Sequence, residues 1–218
     1  MHADTIRNRS LTDRLLIQGE QMLRTLAGVA EGTLRPSPTA KTETTPLDEK
    51  QATHVVGLMR VNHTGEVMAQ ALYYGQMLTL KETDPLHQHL QQAAREEADH
   101  LHWCAGRIHD LGGRTSLLNP VWYAGAFTLG AAAGVLGRGY SLGFTAEVER
   151  QVNKHLAGHL AQLPEGDAQT RAVLEQMQAD EDAHRQRALD EGGQPLPRPA
   201  KLGLEAISKI MTSLAYRI

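Results

Sequence analysis

The chain has 218 residues, of which 41% are hydrophobic, and a formal net charge of −3. This length is enough for one domain with a sizeable core, and the charge gives no electrostatic basis for binding nucleic acid. A single cysteine, Cys104, excludes an internal disulfide framework and a cysteine-only metal cluster, so we expect it to be a small packed residue. The N-terminus lacks the continuous apolar core of a secretory signal, which favours the cytosol or the cytosolic face of a membrane.

Residues 1–47 are predicted to form an N-terminal helix followed by a flexible linker. The helix falls within residues 11–30, and its apolar face is formed by Leu15, Leu16, Met22, Leu23 and Leu26. Residues 31–47 are rich in proline, threonine and serine, which is typical of a linker. Residues 48–218 then form the main domain.

Four longer helices are predicted in the main domain, over about residues 46–80, 85–111, 142–163 and 167–191. Turn-forming sequences separate the first from the second and the third from the fourth, and pairs of glycines follow the second and fourth. This order indicates two helical hairpins.

The motif Glu-x-x-His occurs twice, at residues 97–100 and 181–184, and an upstream glutamate precedes each copy. Glu66 lies 31 residues before the first motif and Glu149 lies 32 before the second. Positions i and i+3 of a helix face the same way, so each motif can present a carboxylate and an imidazole to one point. Two such helices, with two more that each provide a glutamate, form the four-helix di-iron or di-manganese carboxylate site. The candidate ligands are Glu66, Glu97, His100, Glu149, Glu181 and His184.

Helical periodicity supports this choice, because each candidate ligand lies within a mostly apolar stripe of its helix. The neighbouring acids Glu96, Glu147 and Asp182 lie outside these stripes. Glu147 shares its face with charged and polar residues, and we expect it to be solvated.

Two further residues are candidates for hydrogen bonds to the ligands. Tyr73 lies on the inward stripe of the first helix and can either donate to a ligand or simply pack. His155 follows Glu149 by six residues, and it is either a hydrogen-bond partner of a ligand carboxylate or an ordinary polar-edge histidine.

Four carboxylates and two imidazoles suit two iron or manganese ions. Zinc would favour thiolates or three histidines, and neither pattern is present. Two bridging glutamates would hold such ions about 3.5–4 Å apart. Without metal the four carboxylates would repel one another in the core and raise their own pKa values, which argues against a purely structural role.

The halves are joined by residues 113–140, which are too many for a bundle turn and match the single long crossover of ferritin-like folds. Within them, residues 120–137 carry no charge, and Trp122 and Tyr123 lie near the start. An interfacial segment with its aromatic pair near lipid headgroups and a buried crossover helix both fit this composition. The predicted fold is therefore all-α, a ferritin-like four-helix bundle with a long crossover helix and an additional terminal helix.

The motifs also occur in segments that can be compared with known families. These segments are RVNHTGEVMAQALYYGQ (60–76), EEADHLHWC (96–104), LLNPVWYAGAFTLGAAAG (117–134), AEVERQVNKHL (146–156) and DEDAHR (180–185). Over about residues 55–190 the chain closely resembles the demethoxyubiquinone hydroxylase family of ubiquinone biosynthesis. The PVW-x₄-F-x-LGA crossover distinguishes this family from ferritins. The resemblance implies that the six candidate ligands hold two iron ions.

The resemblance further implies a reaction and a location. The substrate would be a polyprenylated demethoxyubiquinol, whose ring receives one oxygen atom of O₂ as a hydroxyl while the other leaves as water. Electrons would come from an external reductant, such as NADH or a reductase, or from the quinol. The protein would be peripheral to a bacterial cell membrane, on its cytoplasmic face, and the crossover over about residues 117–140 would associate with the membrane. Its partners would include other ubiquinone-biosynthesis proteins.

Three other interpretations share the ligand pattern. They are a ferritin-type ferroxidase or iron-storage protein, a manganese catalase, and a non-enzymatic quinone-binding assembly protein in which the metal only stabilises the bundle. The uncharged crossover argues against the first two, which need no membrane segment.

Overall fold

A computed structural model of the chain describes residues 10–42 and 46–218. Over these residues the chain forms seven α-helices and one short 3-10 helix, with no strand, which confirms the all-α prediction. The α-helices are α1 (Leu11–Leu26), α2 (Glu49–Leu78), α3 (Pro85–Asp110), α4 (Asn119–Val135), α5 (Arg138–Leu160), α6 (Ala168–Asp190) and α7 (Arg198–Ala215), and the 3-10 helix spans Pro38–Lys41.

Local sequence accounts for where the bundle helices begin. The side chain of Asp48 accepts a hydrogen bond from the backbone of Gln51, and the Gln51 side chain accepts one from the backbone of Asp48. This reciprocal pair satisfies two backbone donors that the first turn of α2 leaves free. Asp84 caps α3 before a proline at its first position, and Asp167 caps α6. Helix α5 starts at Arg138, four residues earlier than predicted, directly after a glycine with φ of 99°.

The four predicted bundle helices are α2, α3, α5 and α6. Helix α2 packs along α3 and α5 packs along α6, while contacts of α3 with α6 and of α2 with α5 join the two pairs. One apolar cluster includes Met77 of α2 and a second includes Val55, so Glu66 lies between them along the helix. The bundle therefore has apolar packing on both sides of a polar layer.

Helix α4 packs against the outer side of α2, so that α2 is buried on two faces rather than one. The contact is close because glycines face backbone: a Cβ on Gly130 would overlap the carbonyl of Leu72, and one on Gly75 would overlap that of Phe127. The opposite side of α4 is apolar but exposed, as at Val121, which is 64% exposed. None of the helices within residues 10–42 and 46–218 combines the length and the hydropathy that a membrane-spanning helix requires.

The N-terminal residues also pack on the bundle. Met22, Leu26 and Ala30 join an apolar cluster with Val67 of α2 and Tyr123 of α4. Helix α1 ends at Leu26, within the predicted 11–30. Within the predicted linker 31–47, Gly32, Thr33 and Arg35 contact α3. Residues 1–9 and 43–45 of the predicted N-terminal region lie outside the described residues.

Helix α7 packs against α2 and α5 and changes the surroundings of Glu147. The expectation that Glu147 is solvated is wrong, because only 5% of this residue is exposed. Its carboxylate accepts hydrogen bonds from Arg150 at 2.6 Å and from Gln151 at 3.0 Å, and Lys201 of α7 lies 3.6 Å away. A helix that the periodicity of α5 alone does not reveal covers this face and satisfies the charge.

The α2–α4 contact generates a prediction on stability. Gly130→Ala should lower the free energy of unfolding by about 1–3 kcal/mol, because the added methyl must push α4 away from α2. Gly125→Ala on the same helix is the control: nothing lies within 4 Å of its Cβ, and alanine favours helix, so stability should hold or rise by up to about 1 kcal/mol. Chemical denaturation of both variants measures the difference, and equal stabilities would contradict the close packing.

Candidate metal centre

The six candidate ligands converge in the polar layer of the bundle, and each is at most 4% exposed. Their donor atoms form two groups, within each of which the atoms lie no more than 4.8 Å apart. The first group is Glu66, Glu97, His100 and Glu181; the second is Glu97, Glu149, Glu181 and His184. Four helices, α2, α3, α5 and α6, each contribute at least one residue.

Glu97 and Glu181 belong to both groups. These are the glutamates of the two Glu-x-x-His motifs, whereas Glu66 and Glu149 each belong to one group. A carboxylate has two oxygens and can bridge two ions. The sharing therefore assigns Glu97 and Glu181 as the candidate bridges and Glu66 and Glu149 as candidate terminal ligands, a distinction that spacing along the chain left open.

Both histidines present Nδ1 to the cluster. His100 Nδ1 lies 3.2 Å from Glu97 Oε2 and from Glu181 Oε1, and 3.5 Å from Glu66 Oε2. His184 Nδ1 lies 3.1 Å from Glu97 Oε1 and 3.5 Å from Glu181 Oε2. Each imidazole thus reaches a carboxylate of its own helix and one of the opposite half.

The outer nitrogen of each histidine meets an acid that sequence reasoning missed. His184 Nε2 lies 2.6 Å from Glu96 Oε2, and His100 Nε2 lies 2.9 Å from Asp180 Oδ2. Such contacts fix the tautomer and ring orientation of a metal-binding histidine. A signal was present in the sequence, since each of these acids directly precedes the glutamate of a motif, but each contacts the histidine of the other motif.

Tyr73 and His155 occupy different positions relative to the cluster. The Tyr73 hydroxyl donates a short hydrogen bond to Glu149 and lies 3.5 Å from Glu97 Oε1, as one of its two predicted roles requires. His155 Nε2 instead lies 3.4 Å from Ser208 Oγ of α7. His155 therefore lies within hydrogen-bonding distance of α7 and not of a cluster carboxylate, because α7 lies against this face of α5.

Burial and mutual repulsion set the charges of the carboxylates. The pKa values of Glu66 and Glu149 are raised well above their usual range, first by burial and then by the negative charges of Glu97 and Glu181. Burial acts in the same direction on Glu97 and Glu181, but the close contacts and the positive charge of the two imidazoles outweigh it and lower the pKa of both.

The imidazoles respond in the opposite sense. Burial lowers the pKa of His100, but its contacts with Asp180, Glu181 and the other carboxylates outweigh burial and raise it well above the usual value. The pKa of His184 is likewise raised, by contacts with Glu181, Glu96 and Glu97. A residue that binds a divalent ion must be deprotonated, so metal binding at these residues would release protons.

The donor atoms themselves test whether metal fits. In the part of the chain that the structure describes, several fully buried atoms of the cluster lack a hydrogen-bond partner, namely Glu66 Oε2, Glu149 Oε2, both oxygens of Glu181 and His184 Nδ1. Buried polar atoms are normally paired. Unpaired carboxylate oxygens that face two imidazole nitrogens are the donor set that iron or manganese prefers, so the residues fit two such ions.

Other residues singled out by sequence lie outside the cluster. Asp182 is 61% exposed and pairs with Arg185 at 3.0 Å, as its outward position predicted. Cys104 is buried beside Met177, which confirms the expected packed residue, and burial raises the pKa of its thiol.

Comparison with known proteins identifies the family. The family model described as ubiquinone biosynthesis protein COQ7 matches residues 53–215. This chain belongs to the COQ7 family. The match includes all six candidate ligands, which lie between Glu66 and His184, and it also includes α4 and α7.

Curated relatives in the COQ7 family align over nearly the whole chain. The 3-demethoxyubiquinol 3-hydroxylase of Stutzerimonas stutzeri is 50% identical over 97% of this chain and 98% of its own length. The protein of the same name from Azotobacter vinelandii is 51% identical over the same shares. The one from Pseudomonas aeruginosa strain PAO1 is 49% identical over 100% of both chains. The similarity therefore extends through α1 and the segment that follows it.

The cluster geometry predicts that two matched substitutions, one inside the cluster and one outside it, differ in their effect on Fe²⁺ binding. Glu149→Gln removes a donor charge from the second ligand group, so Fe²⁺ binding at that position should weaken by about tenfold or more, since metal sites lose at least this for a disturbed ligand environment. Glu147→Gln changes a glutamate that is equally buried but outside the cluster, and it should keep wild-type binding at some cost in stability. Anaerobic titration with Fe²⁺ measures both, and equal loss would refute the ligand assignment.

Proposed function

We propose that this chain is a monooxygenase of ubiquinone biosynthesis that hydroxylates the ring of demethoxyubiquinol at a centre of two iron ions. One observation carries the proposal: the two overlapping ligand groups lie in the core of a chain about half identical, end to end, to proteins named 3-demethoxyubiquinol 3-hydroxylase. The six residues of the groups would hold the metal. Two iron ions, when bound, supply the capacity to activate O₂.

The chain's own residues would position and protect this chemistry. Glu97 and Glu181 would be shared between the ions, and the outer acids Glu96 and Asp180 keep both imidazoles turned toward the cluster. The hydroxyl of Tyr73 holds Glu149 in place. Apolar packing on both sides of the polar layer excludes water, which favours reaction with a bound quinol over loss of oxidising equivalents to solvent.

A cavity of about 90 Å³ lies between α2, α4, α5 and α7, and it would give the substrate access to the cluster. Glu66 lines it, and most of its other residues are apolar, including Leu72, Leu129, Phe144 and Met211. An isoprenoid-bearing quinol would bury its apolar surface along these walls while its ring approaches Glu66. The polar residues of the wall are Asn62, Gln151, His155 and Ser208.

Isotope labelling tests the reaction. Iron-loaded protein, supplied with a reduced demethoxyubiquinol of short prenyl chain and ¹⁸O₂, should place one labelled oxygen on the ring of each product molecule. The Glu149→Gln variant should give no labelled product, whereas Glu147→Gln should give it at the wild-type rate. NADH and a purified reductase can be added in turn to identify the external electron donor. Consumption of O₂ with oxidation of Fe²⁺ but without labelled quinol would instead support a ferroxidase.

The proposed location is the cytoplasmic face of a bacterial cell membrane, with the protein peripheral to it. Exposed apolar residues support this, because they lie on both helices that line the cavity from outside. On α4 they include Val121 at 64% and Val135 at 77% exposed, and on α7 Leu202 and Ile210, both at 56%. An apolar surface beside the cavity would let the prenyl tail remain in lipid while the ring enters.

Vesicle binding tests the location. The double variant Val121→Asp/Ile210→Asp should bind vesicles of phosphatidylethanolamine and phosphatidylglycerol about tenfold or more weakly than wild type, because two apolar side chains no longer enter the lipid. Leu189→Asp, which places one aspartate at a 40% exposed leucine of α6, is the control and should bind normally. Cosedimentation measures the bound fraction, and unchanged binding of the double variant would contradict this orientation.

A further inference from the structure

The segment between α1 and α2 lies across the outside of the candidate metal centre. The backbone N–H of Thr33 donates to Asp99 Oδ1 at 3.0 Å, and the Thr33 hydroxyl donates a short hydrogen bond to the same carboxylate. Gly32 lies so close that a Cβ there would overlap Asp99. These contacts fix residues 32 and 33 against α3 although they belong to no helix.

The backbone at Leu34 shows how firmly this segment is held. Leu34 has a φ of 66°, in the left-handed region, and is the only non-glycine residue with a positive φ among those described. Its side chain is 91% exposed, so packing of that side chain does not explain the conformation. A strained residue persists where its neighbours over-determine it, and here Thr33 and Arg35 are anchored on either side.

Arg35 makes the contacts that reach toward the centre. Its Nη1 lies 2.9 Å from Asp180 Oδ2 on α6, and its Nε lies 3.3 Å from Asp99 Oδ2 on α3. The guanidinium lies 5.1 Å above the ring of Trp103, whose Nε1 donates to the Arg35 carbonyl at 3.4 Å. One side chain from the N-terminal segment thus connects two helices of the bundle by charge and stacking.

The same oxygen of Asp180 joins Arg35 to a candidate ligand. Asp180 Oδ2 lies 2.9 Å from His100 Nε2, and His100 is fully buried with its Nδ1 among the cluster carboxylates. Asp180 itself is 18% exposed at its side chain. Without Arg35, the only other side chain bonded to Asp180 besides His100 would be the neutral Gln176, which donates to Asp180 Oδ1 at 3.0 Å from one turn earlier on α6. Asp180 would then lose its charged partner, and the His100 ring would lose part of the support that fixes its orientation.

The second histidine has no equivalent support among the described contacts. His184 Nε2 meets Glu96 at 2.6 Å, and the other hydrogen-bond partner of Glu96 is the neutral Gln92, one turn earlier on the same helix. Arg187 of α6 acts on Glu96 through its charge alone. The two halves of the centre are therefore held differently, one within the bundle and one by the N-terminal segment. Arg35 also lies before residue 53, where the match to the family model begins.

We propose that Arg35 is a positioning residue for the metal centre, which holds Asp180 and through it His100. This inference rests on the proposed function, because it assumes that His100 binds metal. It assigns residues 32–35 a role in the site, so that the N-terminal segment completes one half of the centre. Loss of Arg35 should weaken metal binding at the first ligand group more than at the second.

The test compares two arginines of the N-terminal region by their effect on metal release. Arg35→Met should accelerate the release of one of the two Fe²⁺ ions to a chelator by about tenfold or more, the usual effect of losing support for a ligand. Arg14→Met is the control, since Arg14 lies 3.4 Å from the carbonyls of Leu78 and Leu80 at the end of α2. Its release rates should stay within about twofold of wild type.

A double variant separates action through Asp180 from a general loss of structure. Asp180→Asn should accelerate release by about tenfold or more, and Arg35→Met/Asp180→Asn should be no faster than Asp180→Asn alone. Arg35→Lys keeps the positive charge but loses the planar guanidinium with its several N–H donors. Its rate of Fe²⁺ release should lie between those of wild type and Arg35→Met. It also serves as the decisive variant if Arg35→Met does not fold.

Three results would overturn the inference. The first is a wild-type rate of Fe²⁺ release in Arg35→Met, or in Arg35→Lys if only that variant folds. The second is an equal acceleration of Fe²⁺ release in Arg14→Met. The third is a release rate in the double variant that equals the product of the two single effects. The absorption spectrum of Co²⁺-loaded protein adds a readout of ligand geometry that a change in overall stability does not move. Failure of the wild-type chain to bind two Fe²⁺ ions would refute the proposed function itself, whereas normal wild-type binding with an unaffected Arg35→Met would refute only this inference.

Discussion

The bundle is organised around the negative charge of four glutamates that are buried away from solvent. Glu66, Glu97, Glu149 and Glu181 lie in the core, where isolated carboxylates would be very costly. Two imidazoles lie within 3.2 Å of these carboxylates, and several of the carboxylate oxygens lack a hydrogen-bond partner. Each of the four bundle helices must therefore present its polar residue at the same height, and the apolar clusters on either side hold that register.

Around this layer lies an outer ring of hydrogen bonds that crosses between the two halves of the chain. The acid before each motif contacts the histidine of the other motif, Glu96 with His184 and Asp180 with His100. The ligands of one hairpin are thus oriented by the other, and neither hairpin has a complete site alone. Arg35 extends this ring to a segment that belongs to neither hairpin.

Helices α4 and α7 connect the buried layer to the surface. Helix α4 is fixed on α2 by glycines that allow backbone contact, while α7 covers α5 and pairs with Glu147. Between them lies the cavity that Glu66 lines, and both helices leave apolar side chains exposed on their outer sides. The crossover is therefore a helix that packs on α2 with one face and exposes apolar side chains on the other, which is the face proposed above to meet the membrane.

The sequence by itself determined the helices, the inward stripes and the six residues that meet in the core. Those features are local: helical periodicity places Glu97 with His100 and Glu181 with His184 whatever surrounds them. Only the tertiary structure decided that Glu97 and Glu181 are shared, that Glu147 is buried, that His155 faces Ser208, and that Arg35 reaches Asp180. These outcomes depend on how separate helices are rotated and packed against one another, and spacing along a single helix carries no information about the neighbour it will meet.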